Sequence, residues 1–160
     1  MVTKDIQILT ELIAHKYKSL DEPDYSFVNK AIASKPYSSL IRVFKSIYVI
    51  EDITDINDDV SFRYLLSNSN NKWIIELSML GLYAVLLRAQ NSGKLKLVDA
   101  DNALSEEKEI ISLLRKHQFE ILMQYILEQH VVLNLFNTDT ENVCIYQALF
   151  SDTDILPWKA

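Results

Sequence analysis

The chain has little of what turns a backbone. Its 160 residues include two glycines and three prolines. A β-sandwich or barrel needs turn residues about every ten positions, and a dinucleotide-binding sheet needs glycine at its first turn. Both are disfavoured, and the composition predicts helices. A single cysteine, Cys144, rules out an intramolecular disulfide, and within the run VCIY it packs as a small hydrophobe. An uninterrupted apolar leader is missing too, since Asp5 and Glu11 break the first residues. The expected address is the cytoplasm. The longest apolar run, Trp73 to Ala89, contains Glu76, Ser78 and Arg88, which argues for a buried element and against a membrane span.

Apolar residues make up 49% of the chain, enough to fill a core and exclude intrinsic disorder. The length predicts one domain, 1–160, that needs no disulfide or metal to fold. Net charge is −6 and is unevenly placed: the first fifty residues hold seven bases and five acids, the remainder nine and seventeen. Phosphate recognition needs a basic surface, so nucleic acid and anionic membranes are not expected as direct ligands. A basic macromolecule is left as the natural partner.

Apolar spacing predicts helices over about 4–20, 25–33, 36–50, 59–67, 72–90, 105–116, 118–135 and 139–151. Pro23 stops the first, and Ser105 with Glu106 and Glu107 opens the sixth in the sense the helix dipole favours. Thr138 and Glu141 have the spacing of a capping box. KLKLV (94–98) alternates like a strand but has no evident partner, so it reads as a connection. The expected fold is all-α, with seven to eight short helices in antiparallel pairs forming a compact bundle or a short helix-pair stack.

No catalytic signature survives inspection. A calcium loop beginning at Asp55 fails at Val60, where glycine must turn, and at Leu66, where a bidentate glutamate must sit. The aspartate-rich motif of prenyl-diphosphate enzymes is matched over five residues only, Glu51 to Asp55. His15, His117 and His130 are too far apart for a metal pair. Phosphate loops and serine elbows need glycines the chain does not have. Neither a cofactor, a metal site nor enzymatic activity is expected.

What the chain does have is negative charge in three base-poor regions: 51–59, 99–109 with Lys108 alone, and 139–154. The stretch EDITDINDDV places five carboxylates in ten positions. Ile53 and Ile56 are expected to pin it to the core and turn its acids outward. Rigid carboxylates of this kind meet Lys and Arg on a basic protein and speed its association. The expected contacts are Glu51, Asp52, Asp55, Asp58 and Asp59, with Asp99, Asp101, Glu106 and Glu107 as a second set. In size, charge and want of catalytic residues the whole chain resembles the small acidic immunity proteins of bacterial contact-dependent-inhibition and polymorphic-toxin systems. The resemblance implies one-to-one occlusion of a nuclease toxin's active cleft. The alternative is a helical scaffold or adaptor that binds a partner in an apolar groove through Trp73, Trp158 and tyrosines.

Overall fold

A sheet, not a helical stack, organises the chain. The computed structural model describes residues 4–160 and overturns the all-α expectation. Its helices are α1 (Lys4–Tyr17), α2 (Ser26–Ser34), α3 (Ser38–Lys45), α4 (Ser105–Lys116), α5 (Gln124–Leu127) and α6 (Ile145–Leu149). Its strands are β1 (Val49–Asp52), β2 (Ser61–Ser67), β3 (Lys72–Ser78), β4 (Tyr83–Ala89), β5 (Leu95–Val98) and β6 (Glu120–Ile121). β1 to β5 form an antiparallel meander in chain order, and β6 adds in parallel to the start of β4. No helix among the described residues is long and apolar enough to cross a membrane.

The central helix expected over 72–90 is the β3–β4 hairpin. Trp73, Ile75 and Leu77 face a core shared with α3 and α4, whereas Val85 and Leu87 of β4 face one shared with α1, α2, α5 and α6. A strand covered on both faces loses its polar alternation, so its sequence reads like that of a buried helix. KLKLV is β5, and its partner is β4, with Leu86 opposite Val98 and Ala89 opposite Leu95. The helix expected over 59–67 is β2, paired on both sides.

Two glycines suffice because both are spent on hairpins. Gly81 turns β3 into β4, where an added Cβ would meet the Tyr83 ring at 3.1 Å, and Gly93 turns β4 into β5 at φ +83°. The other turns use side chains as stand-ins for backbone. Asn68 Oδ1 accepts the N–H groups of Asn70 and Asn71 at 3.0 and 2.8 Å between β2 and β3.

The helices expected over 4–20, 25–33 and 105–116 are present as α1, α2 and α4, but those expected over 118–135 and 139–151 shrink. They leave β6, the four-residue α5, a 3₁₀ turn at Thr140–Asn142 and α6. Between them Val131, Leu133 and Leu135 are buried while Val132 and Phe136 are exposed, a period of two. Thr138 caps no helix; its hydroxyl donates to Asp152 Oδ1 at 2.8 Å. Trp158 closes the chain against the core, edge-on to Tyr146 at 5.1 Å.

Candidate functional site

The acidic stretch leaves β1 at Asp52 and becomes a loop braced from inside. The Ile53 N–H donates to the Arg63 carbonyl at 2.9 Å, and Asp52 Oδ1 accepts the Thr54 N–H at 3.0 Å. Asp55 Oδ1 accepts the Asn57 N–H at 2.9 Å. Asp59 is buried: it accepts the Asp55 N–H at 2.7 Å and the Ser151 hydroxyl at 2.6 Å. Asp58 accepts the Asn137 side-chain amide at 2.8 Å. Loop 53–60 is thereby fastened to segments 137 and 151–152, bringing two of the three acidic regions together. Glu51, Asp52 and Asp55 remain exposed on this ridge. Ile53 is half-buried, whereas Ile56, expected to pin the stretch to the core, is 68% exposed.

The second set of acids is divided. Asp99 Oδ1 accepts the N–H groups of Asp101 and Asn102 at 2.9 and 3.0 Å, and Asp101 is exposed. Glu106 accepts from the Asn68 amide of the β2–β3 turn. Glu107 is inside the fold, where Arg88 Nε and Nη2 donate to it at 2.6 and 2.5 Å and the Trp73 indole at 2.9 Å. It also accepts the Leu104 N–H at 2.9 Å, capping α4. Burial alone would raise its pKa, but the bonds from Arg88, Leu104 and Trp73 outweigh that and lower it. No hydrogen bond or ion pair among the described residues joins this set to loop 51–59. Asp59 and Glu107, although acidic, hold the fold and present nothing outward.

Deeper still is Glu76 on β3, fully buried between sheet and α6. The Tyr146 hydroxyl donates to both its oxygens, at 2.8 and 3.1 Å, and Arg63 Nε lies 3.4 Å away. Burial is the main cause that pushes its pKa to about 7, against the opposing pull of Arg63 and Tyr146. Sequence reading missed this cluster, because a single acid in an apolar run carries no sign of its partners on β2 and α6.

A cleft of about 780 Å³ lies on the α3 face of the sheet, beside β1. Ile41, Ile50, Phe62 and Tyr64 give it apolar walls, and Lys35, Arg42 and Lys45 line it against one carboxylate, Asp52. It was not expected from an acidic chain, although the local excess of bases before residue 50 was its visible trace. The tryptophans foreseen as groove anchors lie elsewhere: Trp73 is in the core and Trp158 packs on Tyr146. Among the described residues no group of histidine, cysteine, aspartate and glutamate is arranged to hold a metal ion. No family model matches the chain, and no curated protein or solved structure matches it significantly.

Proposed function

We propose that this chain is an acidic protein-binding domain that neutralises a basic partner one-to-one, acting as an immunity protein does on a nuclease toxin. The observation that carries the reading is the braced ridge 51–58, where exposed Ile56 follows Glu51, Asp52 and Asp55. An exposed apolar residue with carboxylates before it along a braced loop suits an interface, with a contact to bury and charges that steer a cationic surface. The bracing lowers the entropy that association must otherwise spend on ordering a loop.

The test neutralises the exposed acids with amides that keep an oxygen to accept the Thr54 and Asn57 N–H groups. Glu51→Gln, Asp52→Asn and Asp55→Asn together should leave the circular dichroism unchanged. At about 0.5–1 kcal/mol per exposed charge pair, they should weaken capture of the basic partner by about thirtyfold. Capture by the unaltered protein should also weaken as salt rises. A captured protein that is acidic, or binding indifferent to both changes, would sink the reading.

A further inference from the structure

β1 is the open edge of the sheet, and its hydrogen-bonding pattern can be worked out residue by residue. Register pairs Val49 with Ser67 and Asp52 with Tyr64, and the Ile53 N–H to Arg63 carbonyl bond continues that series. Residues of an antiparallel pair alternate between bonded and non-bonded positions. Val49, Glu51 and Ile53 therefore turn their backbone groups to β2, and Ile50 and Asp52 turn theirs to the outside. The neighbouring hairpin agrees, since the Asn68 N–H to Asn71 carbonyl bond assigns the alternate residues of β2 to β3. Among the described residues nothing bonds the N–H or C=O of Ile50 or Asp52.

Ile50 and Asp52 are also the two β1 residues that line the basic cleft. The free edge and the cleft are thus one surface. Its three cations are unengaged: none of the ion pairs among the described residues involves Lys35, Arg42 or Lys45. Lys35 is held there in the left-handed region at φ +47°, where its N–H closes α2 on the Ala31 carbonyl.

We propose that this surface is a strand-docking site, occupied by an extended segment of another protein that pairs with β1 and carries apolar and acidic residues on its cleft-facing side. Backbone pairing at Ile50 and Asp52 supplies affinity, and side chains at alternate positions supply specificity, as in other strand additions. The apolar residues lie against Ile50 and Ile41, and the carboxylates reach Arg42 and Lys45. A second copy of this chain is the wrong occupant. Pairing two β1 edges about their outward residues sets Glu51 against Glu51, and like charges directly opposite repel. The site adjoins the acidic ridge, sharing Asp52, Thr54 and Ile56 with it, but it draws on the β1 backbone and on Lys35, Arg42 and Lys45, so it stands whether or not the ridge binds a basic protein.

The probe is a capped peptide, Val-Thr-Glu-Thr-Val-Thr-Glu-Thr, with a control in which lysine replaces glutamate. Titrated into the isotopically labelled protein, the glutamate peptide should shift the Ile50 and Asp52 amides saturably and slow their hydrogen exchange. Arg42→Glu with Lys45→Glu should weaken it about tenfold or more, since two exposed pairs are lost and reversed. Ile50→Pro removes only an outward N–H, a position where an edge strand accepts proline, so it should keep the circular dichroism and abolish binding. The proposal is overturned if neither peptide binds, if the lysine peptide binds as well, or if shifts cluster on α3 and spare Ile50 and Asp52.

Discussion

Replacing Glu76 by glutamine should change how the stability of this protein depends on pH. The carboxyl is fully buried and its pKa moves from 4.5 to about 7, chiefly because burial disfavours the charge. A folded-state pKa above the unfolded one means that the folded chain binds its proton more tightly. The resulting stability is complete below pH 4.5 and is lost as pH rises through about 7. At about 1.4 kcal/mol per pH unit, that interval is worth about 3 kcal/mol. Glutamine keeps the shape and an acceptor for the Tyr146 hydroxyl but cannot ionise. Urea denaturation followed by circular dichroism, run on both proteins between about pH 5 and pH 8, isolates the group by difference. The native protein should lose about 3 kcal/mol against the variant across that range. Asp59, also raised mainly by burial, slopes in the same sense in both proteins. Glu107, whose pKa is lowered, loses its contribution only as pH falls below 4.5. A difference that stays constant from pH 5 to 8 would show that Arg63 keeps Glu76 ionised throughout, and the burial argument would be refuted.

Three further outcomes are expected from the same kind of measurement. Arg88→Met strands the buried Glu107 carboxylate and should cost about 3 kcal/mol in urea; adding Glu107→Met should recover only part of it, because the Trp73 indole and the Leu104 N–H then lose their acceptor. Asp152→Asn weakens a carboxylate that accepts the Phe136 and Asn137 N–H groups at 3.0 and 2.9 Å and the Thr138 hydroxyl at 2.8 Å. It should cost about 2 kcal/mol and speed hydrogen exchange at those two amides; unchanged exchange would argue against the tether. Gly93→Ala meets no neighbouring atom but must hold φ +83°, so a loss of about 1 kcal/mol in thermal unfolding should be purely a backbone effect.

Helices and strands were not equally legible in the chain. α1, α2 and α4 each bury one stripe and leave the other side wet, and that period survives in the sequence whatever the partner. α4 runs Ser105–Lys116, over the range its spacing predicts. The β3–β4 hairpin could not be read in the same way. Its two faces are buried under different layers, and an apolar run without polar punctuation is common to both kinds of element. The glycine count misled for a related reason: Asn68, Asp55 and Asp99 make turns with their side chains, so the turn signal lay in Asn and Asp. In VVLNLF five of six residues are apolar, so the alternation of buried and exposed positions exists in the structure and is not written in the sequence.

By itself the sequence determined that the chain has apolar residues enough for a core, that its later part is acidic, and that no familiar catalytic or metal-binding spacing occurs in it. These are sums and local patterns, and tertiary contacts do not alter them. Only the tertiary structure decided which acids are surface and which are scaffold. Asp55 and Asp59 stand four apart in one acidic run, yet one faces water and the other is sealed by Ser151, far along the chain. The same holds for the cleft, whose cations come from α3 and the turn before it and whose open edge comes from β1. Burial and pairing depend on contacts between distant segments, and a linear order of residues does not contain them.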